Sequence, residues 1–129
     1  MSENWQQDVE EFFGAFGHAR QGSPSWPDMG TTKMRMRLIT EEYRELLAAV
    51  DDLDFAESID AVTDLIYVAI GLGITMGVDL GPIWDEVHRS NMAKIGGPVR
   101  DDGKQLKPEG WTPPDILGEL TKQRLKGKQ

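Results

Sequence analysis

The sequence predicts an all-α protein with a four-helix-bundle-like core and an irregular C-terminal segment. Apolar residues recur at spacings of three and four over several long segments, which is the period of one helix face. Short stretches rich in Gly, Pro and Ser separate these segments, and short connections favour antiparallel neighbouring helices. The 129 residues correspond to one domain.

Five helices are expected in order along the chain. The first carries an aromatic stripe and stops at Gly17, and Thr31 or Thr32 can cap the second. The expected bounds are about Glu3 to Phe16, Thr31 or Thr32 to Asp52, Phe55 to Met76, Asp79 to about Lys94, and Asp115 to Leu125. The single domain thus divides into an N-terminal helix (1–17), a helical core (31–95) and a lid or tail (96–129).

The two central helices carry acids on faces that are otherwise apolar. An apolar stripe on the second helix contains Glu42, has Glu45 at its edge and has Glu41 just beyond it. Its members are Leu38, Ile39, Leu46, Ala49 and Leu53. On the third helix Glu57, Asp60 and Asp64 fall within about 60° of one another. Apolar residues cover most of the remaining circumference, and a helix of that kind is normally buried.

Carboxylates buried in this way need a positive partner, because they lose hydration and repel one another. The third helix contains no Lys or Arg. A divalent metal is therefore expected, and a site made only of carboxylates suits Mg²⁺, Mn²⁺ or Ca²⁺. The alternative is a solvated acidic face, which we adopt for Asp51, Asp52 and Asp54 at the turn between the helices.

Composition narrows the possible partners. Fourteen Lys and Arg against 22 Asp and Glu give a net charge of −8, which disfavours non-specific binding to nucleic acid or anionic lipid. The chain has no Cys, so thiolate zinc and a Cys nucleophile are excluded, and a cytoplasmic location is compatible. The most apolar run, Leu65 to Val78, is shorter than the roughly 20 residues that span a bilayer. We expect it to be a core helix.

Cationic and aromatic residues that could meet an anionic ligand lie on three segments. Asn91 and Lys94 extend the inward stripe of the fourth helix, although a C-terminal Lys is also favoured by the helix dipole. In the irregular segment, Lys104, Lys107 and Trp111 suit a lid over an anionic ligand that contains a base. Arg35 and Arg37 precede the glutamates and could reach phosphate, pair with the acids, or face solvent.

Four ordered motifs carry a resemblance to a known superfamily. Glu41-Glu42-x-x-Glu45 is followed by an acidic cluster that ends in Asp64-Leu65-Ile66-Tyr67. EVHRSNMAK (Glu86 to Lys94) and GKQLKPEGWTPPD (Gly103 to Asp115) come after them. The set resembles the all-α nucleoside triphosphate pyrophosphohydrolases, which include MazG-like, phosphoribosyl-ATP pyrophosphohydrolase-like and dimeric-dUTPase-like enzymes.

The resemblance implies a Mg²⁺-dependent enzyme, with Mn²⁺ as an alternative, that cleaves the α-β phosphoanhydride of a nucleotide to the monophosphate and pyrophosphate. It implies metal ligation by Glu42, Glu45 and Asp64, with Glu41 as a further ligand or as the base that orients water. The family's second motif is ExxD, but Ala61 stands three residues before Asp64. Asp60, or the pair Glu57 and Asp60, must therefore supply the missing carboxylate.

The resemblance also implies a substrate and an assembly. It gives Asn91 and Lys94 contacts with the nucleotide, and Lys104, Lys107, Trp111 and Arg37 complete the expected substrate-binding set. Substrates like dUTP or dCTP, in nucleotide pool sanitation, are favoured over phosphoribosyl-ATP. Related enzymes assemble as dimers or tetramers, so at least a dimer is expected, with Phe12, Phe16 or the glycine-containing third helix near the contact.

Two other classes of function compete with this interpretation. A di-iron four-helix protein normally has two Glu-x-x-His pairs, whereas this chain has only Asp85-x-x-His88, off the inward stripe. A non-catalytic acidic interaction module would leave the carboxylates solvated, and its thermal stability would not depend on Mg²⁺.

Overall fold

The computed structural model describes residues 3–127 and contains five α-helices. They are α1 (Glu3–Phe16), α2 (Met29–Asp51), α3 (Phe55–Thr75), α4 (Leu80–Met92) and α5 (Ile116–Lys126). Extended pairing within the described residues is limited to one bridge between Val99 and Gln105. The all-α prediction is confirmed, and the expected helix bounds hold to within a few residues.

Aspartate side chains cap the N-termini of four helices. Asp28, Asp54, Asp79 and Asp115 accept hydrogen bonds from backbone N–H groups in the first turns of α2, α3, α4 and α5. The prediction that Thr31 or Thr32 caps α2 is wrong. The helix begins earlier, and the Thr31 N–H instead donates to Asp28 at 2.8 Å, because a carboxylate two or three residues upstream satisfies the exposed donors of the first turn.

The core lies where α1 packs against the C-terminal half of α3. Val9 and Phe13 of α1 pack against Ile70 and Ile74 of α3, with Leu80 of α4 beside them. Gln6 stabilises the same region through two hydrogen bonds. Its side-chain N–H donates to the Val78 carbonyl at 3.1 Å, and its side-chain oxygen accepts a hydrogen bond from the Leu80 N–H at 2.8 Å. The arrangement leaves the other half of the hairpin formed by α2 and α3 outside the core.

Helix α3 is less buried than its composition predicts. Ile59 is 50% exposed, and Val62 and Ile66 also reach solvent. The expectation that this helix is buried nearly all round is therefore wrong for the single chain. Leu53 does not continue the apolar stripe of α2 either, since it lies in the turn with a φ of 53° and is 90% exposed. The helices α1 and α4 cover only the C-terminal half of α3.

The length argument against a membrane span also fails for α3. With 21 residues, the helix is long and apolar enough to cross a membrane by length and composition alone. It nevertheless contacts α1, α2 and α4, and it carries Asp60 and Asp64. We therefore describe it as the central helix of the fold.

The C-terminal segment wraps around α4 and returns to the loop before α2. The Trp111 indole N–H donates to the Ser90 carbonyl at 2.6 Å, and the Asp115 N–H donates to the Glu86 carboxylate at 2.6 Å. At its end, Arg124 donates to the Pro24 carbonyl at 3.0 Å. These bonds fix the irregular segment against the helix that precedes it.

Candidate metal centre

Three carboxylates converge between α2 and α3. Glu42, Glu45 and Asp64 each offer one oxygen, and these oxygens all lie within 4.8 Å of one another. We call this group the acidic triad. Such a spacing lets one ion contact all three oxygens, because Mg²⁺ and Ca²⁺ hold oxygen ligands at about 2.0–2.6 Å.

The antiparallel register of the hairpin builds the triad. Glu42 and Glu45 are three residues apart on α2, so they lie on one face of the helix. Asp64 faces them from α3, in the turn after the buried Ala61.

The triad is electrostatically strained in the protein without an ion. Burial is the largest cause that raises the pKa of Glu42, followed by a hydrogen bond with Glu45 and the charges of Glu45, Asp64 and Glu41. Burial likewise raises the pKa of Asp64, with the charges of Asp60 and Glu45 adding to it. Each shift disfavours the ionised form, so a cation bound here would relieve the repulsion.

One oxygen of the triad has no partner. Glu42 Oε2 is buried and accepts no hydrogen bond, and leaving a buried acceptor unpaired costs about 1–3 kcal/mol. A cation fits this atom better than a neutral donor, because the surrounding groups are also carboxylates. The donor set contains only oxygen, which suits hard divalent ions. The residues present therefore fit a divalent metal.

The remaining acids of the predicted set, Glu41, Asp60 and Glu57, lie outside the triad. Glu41 and Asp60 act on the triad through their charges, as the pKa shifts of Glu42 and Asp64 indicate. Glu57 lies in the first turn of α3, where its N–H donates to the Asp54 cap at 3.0 Å. The structure thus distinguishes an inner group of three acids from an outer group of three.

A second cluster of predicted residues forms at the end of α4. The Lys107 ammonium lies 4.6 Å from the centre of the Trp111 ring, and the Lys94 ammonium lies 5.8 Å from it. Lys94 also donates to the Asn91 side-chain oxygen at 3.1 Å. These four residues, the Trp111 cluster, place two cations and an amide around one aromatic ring.

Two predicted substrate contacts lie outside both groups. Lys104 belongs to the turn at 100–104, where its carbonyl accepts the Arg100 N–H at 2.8 Å. Arg37 is exposed and lines a cavity of about 480 Å³ on the outer side of α2. Lys33, Glu41 and Arg44 line the same cavity.

Sequence reasoning missed the burial of Arg35. Its side chain is only 6% exposed, and its guanidinium lies 4.4 Å above the Phe13 ring. The signal was present in the spacing, because Arg35 stands seven residues before Glu42 and so lies on the same face of α2. Solvent exposure, which was one of the options for this residue, is therefore wrong.

Comparison with known proteins assigns the chain to a family. Residues 9–91 match the model of the phosphoribosyl-ATP pyrophosphohydrolase family. The chain is also 37% identical over 84 residues to an uncharacterized protein of Acanthamoeba polyphaga mimivirus, an alignment covering 60% of this chain and 34% of that protein. It thus spans about a third of the length of that relative. The matched region contains α2, α3 and the whole acidic triad, and the chain belongs to the phosphoribosyl-ATP pyrophosphohydrolase family.

Proposed function

We propose that this protein hydrolyses the α-β phosphoanhydride of a nucleotide with the help of divalent metal, releasing a monophosphate and pyrophosphate. The observation that carries the proposal is the orphaned Glu42 oxygen within a triad of carboxylates. The family match supports the reaction class, because its description names a pyrophosphohydrolase. The acidic interaction module offers no reason to hold three carboxylates together.

Mg²⁺ is the proposed ion, and Mn²⁺ is the alternative. Glu42, Glu45 and Asp64 would hold it, and it would supply charge to polarise the phosphate oxygens and lower the pKa of a bound water. Glu41, whose charge raises the pKa of Glu42, is proposed to accept the water's proton or to orient the water. Asp60 is the proposed additional ligand, either alone or together with Glu57.

The substrate's phosphates and base are proposed to meet the Trp111 cluster. Lys94 and Lys107 offer two ammonium groups that pair with no carboxylate within 4.0 Å among the described residues. Such groups stabilise the charge that develops on a leaving pyrophosphate. Asn91 would contribute a side-chain amide, and Lys104 and Arg37 would add charge further out.

The nucleotide itself is proposed only at the level of its class. Substrates like dUTP or dCTP are candidates because the chain resembles the triphosphate-cleaving branch of the superfamily. Phosphoribosyl-ATP is at least as close a candidate, because it is the substrate in the description of the matching family. Both contain the α-β phosphoanhydride that the reaction requires.

Self-association, as a dimer or a tetramer, is proposed to complete the protein. Tyr43, Leu47 and Val50 follow one another at helical spacing on α2, and Phe55 and Ile59 do so on α3; all five are exposed. The α2 stripe lies about 100° from Glu42, whereas Phe55 and Ile59 lie about 140–180° from Asp64, on the far side of α3. Exposed apolar side chains on both helices are typical of a protein interface, and we propose a second copy of the chain as their occupant.

The activity is tested with a panel of nucleotides that includes dUTP, dCTP and phosphoribosyl-ATP, with Mg²⁺ or Mn²⁺, while pyrophosphate release is measured. Glu42→Gln should reduce turnover at least about a hundredfold, because it removes a charge that would hold the metal. Glu11→Gln, an exposed glutamate of α1, is the matched control and should keep its activity. Retained turnover in Glu42→Gln, or turnover independent of metal, would overturn the proposal.

A further inference from the structure

Arg35 is a buried cation without a counter-ion. Its side chain is 6% exposed, and its Nε is buried with no hydrogen-bond partner. No carboxylate among the described residues lies within ion-pair distance of it. The Phe13 ring offers only a weak cation–π contact at 4.4 Å. An unpaired buried charge normally destabilises a fold by several kcal/mol, so its presence calls for a physical reason.

The position of Arg35 suggests that reason. A Cβ added at Gly71 of α3 would lie 3.7 Å from Arg35 Nη1, so Arg35 faces Gly71 across the hairpin. Glu42 faces Asp64 in the same way. Arg35 precedes Glu42 by seven residues on α2, and Gly71 follows Asp64 by seven residues on α3. The two facing pairs therefore belong to one continuous antiparallel register. Seven residues correspond to about 10 Å along a helix.

Arg35 is also the only buried Lys or Arg side chain of α2 and α3. Helix α3 contains no Lys or Arg, and both helices are fully described. The other cations of α2 are Lys33, Arg37 and Arg44, and all three are exposed. Solvent screens those three, whereas a charge buried between the helices acts through a less polarisable medium and is screened much less.

We infer that Arg35 is the fixed countercharge of the acidic triad and sets its affinity for divalent ions. Without an ion, the guanidinium offsets part of the repulsion among Glu42, Glu45 and Asp64 and so stabilises the hairpin. With an ion bound, the same charge repels it and weakens its binding. This inference rests on the metal site of the proposed function. It assigns to Arg35 an effect at a distance and no contact with substrate.

A purely structural role makes a different prediction. If Arg35 only packs its planar guanidinium on Phe13, its removal should destabilise the protein equally with and without metal. A lysine at this position would then fail as a neutral residue does, because it keeps the charge but not the planar group. If the charge matters, lysine should preserve the affinity for metal.

The test measures Mg²⁺ affinity by calorimetry and by Mg²⁺-dependent thermal shift, in the full chain at neutral pH and without nucleotide. The variants are Arg35→Gln, Arg35→Met and Arg35→Lys, with Lys33→Gln as the control that removes an exposed cation from the same helix. Arg35→Gln and Arg35→Met should bind Mg²⁺ on the order of tenfold more tightly than the native protein. Arg35→Lys and Lys33→Gln should stay within about twofold of it.

Each outcome decides the inference. Neutral variants that fold only when Mg²⁺ is present would support it, because metal then replaces the lost countercharge. Unchanged or weaker Mg²⁺ binding by the neutral variants would overturn it, as would a failure to fold at saturating Mg²⁺. If the native protein shows no Mg²⁺ binding at all, the proposed function fails first, and the two failures are thereby distinguished.

Discussion

Glu42 of α2 and Asp64 of α3 approach each other across the hairpin until an oxygen of each lies within 4.8 Å of the other. Glu42 Oε2 is buried and has no hydrogen-bond partner among the described residues that would compensate for this proximity. Burial, followed by the charges of neighbouring carboxylates, raises the pKa of both groups. The pair is therefore sensitive to pH and to cations.

The pH dependence of stability follows from the raised pKa values of Glu42 and Asp64. Because the folded state binds these protons more tightly than the unfolded state, the free energy of unfolding falls as pH rises from the ordinary values of 4.5 and 3.8 through the raised ones. Asp64→Asn removes one of these groups. Without metal, the free energy of unfolding of Asp64→Asn, compared with that of the native protein, should therefore increase as pH rises from about 4 to about 8. The change per pH unit should be on the order of the linkage slope for one proton.

Denaturant titrations of both proteins at several pH values measure this difference. Mg²⁺ should reverse it, since the native protein gains stability from the ion while the variant gains little. Asp51→Asn, at the exposed end of α2, is the control and should follow the native protein at every pH. A pH-independent difference between native protein and Asp64→Asn would contradict the strain assigned to the triad.

Gln6 should contribute strongly to stability, although it takes no part in the reaction. Gln6→Leu leaves the Val78 carbonyl and the Leu80 N–H without their side-chain partner. We expect the free energy of unfolding to drop by about 2–4 kcal/mol, since each buried unpaired group costs about 1–3 kcal/mol. Denaturant titration measures this change. Gln7→Leu, at the exposed neighbouring position, should change it little, and an equal loss in both variants would contradict the role of these bonds.

Gly77 should not tolerate a side chain. Its φ is 77°, and a Cβ at this position would collide with the Ser23 carbonyl. Gly77→Ala should therefore lower stability by more than about 2 kcal/mol, which exceeds the backbone strain alone. Gly17→Ala is the matched control, because Gly17 has a φ of 67° but open space around it. Its loss in thermal denaturation should be smaller, and equal losses would mean that the loop can move away.

The exposed apolar face of α2, formed by Tyr43, Leu47 and Val50, should control the oligomeric state. Leu47→Glu places a charge in the middle of this face and should shift the proposed dimer or tetramer towards monomer, because a buried unpaired charge is costly. Light scattering after size-exclusion chromatography measures the change. Lys33→Glu, on the outer side of α2, is the control and should leave the mass unchanged. A monomeric native protein would remove the proposal of self-association.

The short-range part of the fold was readable from the sequence. Helix bounds were predicted to within a few residues, because apolar period and glycine stops act over one or two turns. The cap of α2 was missed, since Asp28 and Thr31 are both good capping residues and only the actual chain path selects between them. The exposure of Ile59 was missed because apolar composition does not say which neighbour covers a face.

The sequence by itself determined that α2 and α3 carry acids within apolar faces, because helical periodicity alone places Glu42 and Glu45 on one side of α2. The resemblance already implied Asp64 as the third ligand, whereas only the tertiary structure decided that Glu57 and Asp60 lie outside the triad and that Arg35 is buried one heptad away. Both outcomes depend on the register between two helices. That register depends on packing between residues distant in the chain, such as Arg35 against Gly71, which spacing within either helix does not encode.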